Sequence, residues 1–171
     1  MKESQIRSIA RKILKDNDDV FLIPVDILTI CKRYARVEEY DIPGVNGLTI
    51  MPRNLDKPVI VISPHTSISR QRYTIAHELG HIILKHNSNG KSLVQLFMRT
   101  PDPLLQRFDR EADIFASEIL LPLPYFRNYA IQYNFDVNIL SNIFQVSKTA
   151  VKIRLNEVFG ESYMSSCVPL K

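Results

Sequence analysis

The sequence predicts a mainly helical α+β domain with a small antiparallel β-sheet and a C-terminal helical segment. Three observations carry this expectation. Apolar residues recur at helical spacing over most of the chain, only the runs at 47–51 and 58–62 have strand character, and Pro103, Pro122 and Pro124 bracket one of the longest helical patterns. With 171 residues, 45% of them hydrophobic and 23% charged, the chain can bury a real core. We expect a core domain over 1–122 and a C-terminal helical appendage over 123–171 packed on it.

The first helix is read from Ile6, Ile9, Ala10, Ile13 and Leu14, with Arg7, Arg11 and Lys15 off that stripe, and should end near Asn17. Pro24 is expected to open a second helix, whose apolar face holds Ile27, Leu28, Cys31, Tyr34 and Ala35. On that face Cys31 reads as a core residue rather than a reactive thiol. The two strand-like runs are separated by a turn-forming linker at 52–57. The run 59–62 is apolar on both faces and should be covered on both. A third helix is expected over 69–86 and a fourth over 103–121, joined by a long connection at 87–101 that could form a flap. Three shorter helical patterns follow at 126–133, 138–144 and 148–159, the last capped by Ser147.

Composition narrows the function. Cys31 and Cys167 make neither a metal knuckle nor a disulfide framework. The first residues lack the apolar block of a secretory signal, and no segment approaches the roughly 18 uninterrupted apolar residues of a membrane span. A cytoplasmic protein is expected. The net charge of +4 is mild and does not by itself imply nucleic-acid binding. The absence of a Gly-rich phosphate cradle argues against the common nucleotide enzymes.

The chemistry is concentrated in His77-Glu78-Leu79-Gly80-His81. On a helix, Ile75, Ala76, Leu79, Ile82 and Ile83 cover one side, while His77 and His81 lie about 40° apart on the other. That spacing lets both imidazoles approach one zinc ion at about 2.0 to 2.1 Å. Glu78 is offset by about 100°, beside the ion rather than on it. It is placed to take a proton from the zinc-bound water and deliver it to a leaving amine. Gly80 keeps the helix slim beside the site. Catalytic zinc needs a third protein ligand and an open position for water. The third histidine of the extended pattern is missing, because residue 87 is Asn and residue 84 is Leu. His65 and His86 read as loop or surface residues. Asp109 and Asp113 lie one turn apart within the stripe of Leu105, Ala112, Ala116 and Leu120. Asp109 is assigned as third ligand and Asp113 as acceptor for the free N–H of a zinc histidine. Glu111, about 200° from Asp109, reads as a solvated face residue and becomes the ligand only if Asp109 is not.

The segments Arg72-Tyr73-Thr74-Ile75-Ala76-His77-Glu78-Leu79-Gly80-His81 and Asp109-Arg110-Glu111-Ala112-Asp113-Ile114-Phe115-Ala116-Ser117-Glu118-Ile119-Leu120-Leu121-Pro122 together resemble the ImmA/IrrE metallopeptidases, over roughly 47–160. The resemblance implies a zincin-like fold, a zinc-dependent endopeptidase, and a protein substrate that is typically a helix-turn-helix repressor. It also implies that 141–155 is a helix-turn-helix-like end that packs on the catalytic part. Asp109 stands where the family usually has glutamate, so the backbones must approach more closely. An extended substrate is expected to pair with an edge strand, for which 59–62 is the candidate. Tyr73 is a candidate to hydrogen-bond the oxyanion. Two other readings remain: a DNA-binding regulator using Lys148, Lys152 and Arg154, and a non-cleaving, protein-binding antirepressor.

Overall fold

The computed structural model of the protein describes residues 1–17, 22–50, 55–86 and 103–160. The expected flap at 87–101 and Cys167 lie outside the described residues.

Helix α1 (Glu3–Lys15) buries Ile6, Ala10, Ile13 and Leu14, the stripe that its sequence periodicity predicts. Helix α2 (Ile27–Lys32) is shorter than expected and starts later. Pro24 follows a cis peptide bond outside the helix, and Asp26 makes the cap, accepting from the Thr29 amide at 3.0 Å. Cys31 is fully buried, and desolvation pushes its thiol up to about 12, so it is inert core as expected.

The chain then forms β1 (Arg36–Glu39), a strand that the pattern Arg-Val-Glu-Glu does not announce. It joins β2 (Gly47–Ile50) and β3 (Val59–Ile62) in a three-stranded sheet of order β1-β3-β2. The expected antiparallel pair is present, with Leu48 opposite Val61 and Thr49 opposite Ile60. The third strand makes the sheet mixed, because β1 runs parallel to β3 with Val37 opposite Ile60. This corrects one expectation. Residues 59–62 form the central strand, paired on both sides, and offer no edge to a substrate. All four of their side chains are buried. Ile60 and Ile62 join the main helical core, while Val59 and Val61 form a second cluster with Leu48, covered by Ile42, Val45 and Leu55.

Helix α3 (Ile68–Ile83) is capped by Ser67 and packs along α4 (Pro103–Leu120). After Pro122 the chain continues as α5 (Leu123–Gln132), α6 (Val137–Phe144) and α7 (Lys148–Phe159). Asp136 caps α6, and Ser147 caps α7 through the Ala150 amide. Between α6 and α7 the chain reverses at Gln145, in the left-handed region at φ 50°. The main apolar cluster runs without a break from Ile6 and Leu79 through Phe115 and Leu121 to Phe126, Phe144 and Leu155. Among the described residues no helix is long and apolar enough to cross a membrane.

A polar junction ties α1 and α7 to α4. Glu118 is fully buried and accepts from Arg154 at 2.6 Å, Arg11 at 2.7 Å and Arg7 at 3.0 Å. Arg154, also buried, donates in addition to the Leu121 carbonyl and to Glu157. A carboxylate so enclosed survives only because cations face it. Burial pushes the Glu118 carboxyl up, but the three arginines, Arg154 foremost, outweigh it and hold the group below its ordinary 4.5. Glu118→Gln should therefore lower the unfolding free energy near neutral pH by about 3 to 5 kcal/mol. The depressed carboxyl contributes stability that is fully present above pH 4.5 and is lost as pH falls through the folded-state value. Urea unfolding across pH should show the gap between wild type and variant closing in acid.

Candidate metal centre

The apolar face of α3 buries Ile75, Ala76 and Leu79, which turns His77 and Glu78 toward a cleft of about 390 Å³. Asn46 and Gly47 from β2 and its approach, Asp109 and Asp113 from α4, and Tyr73 also line this space. Gly47 lets the strand reach α3, since a Cβ there would stand 2.0 Å from Thr74 Cγ2.

His77, His81 and Asp109 converge, with one ligand atom of each lying within 4.8 Å of the others. The two Nε2 atoms are 3.1 Å apart, and Asp109 Oδ1 is 3.5 Å from His81 Nε2. His77 Nδ1 is 2.8 Å from Asp113 Oδ1. The ionised carboxylate can only accept, so the ring proton sits on Nδ1 and Nε2 keeps its lone pair. Asp113 therefore occupies the place assigned to it from sequence. Two imidazole nitrogens and a carboxylate converging on one point repel one another unless a cation lies between them. The set is a borderline-soft, mixed nitrogen and oxygen donor group of the kind that takes zinc in catalytic sites, so the residues fit the ion.

The ionisation of the site agrees. Asp109 is held below the usual carboxylate range, chiefly by the His81 imidazole that faces it, against the cost of burial. Burial lowers the His77 imidazole, but the bond and charge of Asp113 outweigh it and raise the group. Burial likewise raises Asp113, and its bonds with His77 and Tyr73 outweigh that and lower it. The Tyr73 hydroxyl donates to Asp113, and burial followed by this bond pushes the phenol up. Its proton is thus committed to Asp113 rather than free for an oxyanion.

Glu78 stands beside the imidazole pair, with Oε2 accepting from the Thr49 hydroxyl at 2.7 Å. Thr49 is a functional neighbour that the sequence reading missed. Its only signal is a hydroxyl residue within an otherwise apolar β-strand. His65 is remote from this group and pairs with Asp41 at the surface, at 3.4 Å.

Two expectations for the flanking residues are overturned. Glu111 is not solvated: it is 6% exposed and bonds Arg107, His86 and the Met1 α-amino group. The face of α4 that carries it is covered by the turn after α3 and the start of α1. His86 is not a surface residue either, at 8% exposure, with Nδ1 3.0 Å from His81 Nδ1. Helical geometry placed it about 140° from His81. However, α3 stops at Ile83, and Lys85 at φ 59° folds the chain back beneath the histidine.

Comparison with known proteins was made against this geometry. The Peptidase_M78 family, described as the IrrE N-terminal-like domain, matches residues 33–156. Among solved structures, the chain is similar to a Mycobacterium tuberculosis transcriptional regulator, with a TM-score of 0.68 at 15% identity. That alignment covers 90% of this chain and 46% of the regulator, so the chain spans about half of that protein. At this identity the likeness is one of fold. No curated protein matches the chain.

The metal fit is directly measurable. Protein purified without added zinc should carry about one zinc per chain by elemental analysis, lost in both His77→Ala and Asp109→Ala. Loss in the histidine variant alone would remove Asp109 from the ligand set.

Proposed function

Because the chain belongs to the Peptidase_M78 family, the IrrE N-terminal-like domain, we propose that it is a zinc-dependent endopeptidase that hydrolyses a peptide bond in a protein partner. The observation that carries this reading is the convergence of His77, His81 and Asp109 with Glu78 alongside, in an open cleft. The first three residues would hold zinc, which when bound would supply Lewis acidity toward a peptide carbonyl and water. Glu78 takes the proton of the attacking water and passes it to the leaving amine. Thr49 keeps the Glu78 carboxylate turned toward the cleft by donating to one oxygen, which leaves the other free for the proton. Asp113 holds His77 in the tautomer that presents Nε2.

The substrate lies along β2 rather than β3. Among the described residues β2 pairs only with β3, and its first residue, Gly47, borders the cleft. An extended segment adding to this edge would bring its backbone past Glu78 with little demand on side-chain identity. Selectivity then comes from docking a folded partner. By the resemblance of the paired motifs, the leading partner class is a helix-turn-helix repressor in the cytoplasm. The C-terminal helices brace the catalytic part. Arg154, one of three cations considered for a DNA contact, is buried against Glu118, leaving Lys148 and Lys152 exposed on α7.

Glu78→Gln separates an enzyme from a non-cleaving binder. Incubated with the repressor encoded nearest to it, the variant should retain its zinc and lose cleavage by at least about a hundredfold, read by gel and mass spectrometry. A variant that cuts or relieves repression as well as wild type would favour the antirepressor.

A further inference from the structure

We propose that His86 and Glu111 form a two-step tautomer lock on His81, acting as positioning residues for the metal centre; the inference rests on the metal-site reading above. The argument starts at the far end. Glu111 is buried on α4, and its Oε1 accepts from Arg107 Nε at 2.9 Å and from the Met1 α-amino group. With Oε1 so engaged, Oε2 faces His86 Nε2 at 3.2 Å. An ionised carboxylate can only accept, so His86 must carry its proton on Nε2. In the neutral ring Nδ1 is then a bare acceptor, 3.0 Å from His81 Nδ1. His81 must in turn be protonated on Nδ1, which leaves Nε2 with its lone pair turned toward His77 and Asp109. With a cation between the three ligand atoms, each link permits one proton arrangement, and the chain ends on the nitrogen that a metal needs.

The geometry is held rigidly enough for the purpose. His86 stacks on Phe108 with centroids 4.5 Å apart and an angle of 12° between the planes, so its ring cannot rotate freely. The left-handed Lys85 sets the turn that delivers it. Phe108, Glu111 and the ligand Asp109 all belong to α4, as does Asp113, which performs the same service for His77 in one step. One helix thus supplies a ligand and fixes the tautomer of both others. Hydrogen-bonded partners of this kind raise the basicity of a ligand histidine as well as aim it.

The test uses the full chain and two readouts. In zinc-loaded protein labelled with nitrogen-15 histidine, two-bond correlation spectra should show His81 protonated at Nδ1 and His86 at Nε2; the opposite tautomer at His86 overturns the lock. Zinc affinity, measured by competition with a chromogenic chelator, should fall about 10- to 100-fold in His86→Phe, which keeps the stacking and removes both bonds. His86→Gln should remain close to wild type, because its amide oxygen and nitrogen can replace the acceptor and the donor. If His86→Phe fails to fold by circular dichroism, Glu111→Gln carries the same expectation, since its amide can donate to His86 and reverse the chain. Undiminished affinity in a folded His86→Phe or Glu111→Gln protein overturns this inference alone. A wild type that takes up no zinc overturns the metal-centre reading and this inference with it.

Discussion

The close approach of α3 to α4 at Gly80 is the constraint on which the candidate centre depends. A Cβ at that position would stand 3.2 Å from Ala112 Cα, 3.2 Å from Phe115 Cδ1 and 3.3 Å from the Ala112 carbonyl oxygen. The two backbones are therefore nearly in contact, and the residues on either side of the contact inherit their positions from it. His77 and His81 flank Gly80 on one helix, and Asp109 and Asp113 flank Ala112 on the other. An aspartate is short, and only helices this close can bring its carboxylate to within 3.5 Å of His81. The side-chain economy at Gly80 and Ala112 and the short carboxylate at 109 are consistent parts of one arrangement.

Around that contact, polar groups are placed so that few are left unsatisfied. Burying a carboxylate without a partner is costly, yet α4 buries two, Glu111 and Glu118, each facing several donors. The carboxylates nearer the cleft are the more exposed ones, with Asp109 and Asp113 keeping 59% and 52% of their side-chain surface. That gradient suits their roles. The carboxylates that line the cleft remain accessible, while those away from it are sealed in, where the local dielectric makes their bonds stronger.

The helical stretches and the core of the site were legible in the sequence because they depend on local periodicity. An i, i+4 histidine pair stays a pair on any regular helix, and Asp109 and Asp113 follow from one turn of α4. What escaped depends on where a helix ends or what lies beyond it. His86 was placed by extending α3 past Ile83, and Lys85, which no propensity marks as left-handed, sends it elsewhere. Glu111 was read as solvated because its angle from Asp109 is known while its neighbours, a turn and a chain terminus, are not. Strand β1 hides in a charged tetrapeptide that needs only one hydrogen-bonded neighbour. Its pairing in turn moves β3 from edge to centre, a rearrangement that the apolar pattern of 59–62 permits without predicting.

The junction at Glu118 bears on how this chain can be shortened or rebuilt. A fragment ending near residue 122 would keep Arg7 and Arg11 but lose Arg154, the cation closest to the carboxylate, and would uncover Leu121, whose carbonyl Arg154 also holds. Such a fragment would be poor starting material for a minimal domain unless Glu118 were replaced at the same time by an apolar residue of similar volume. Equally, swapping the last helices for those of another family member would require an inward-pointing arginine at position 154, or the graft would seat on an orphaned charge.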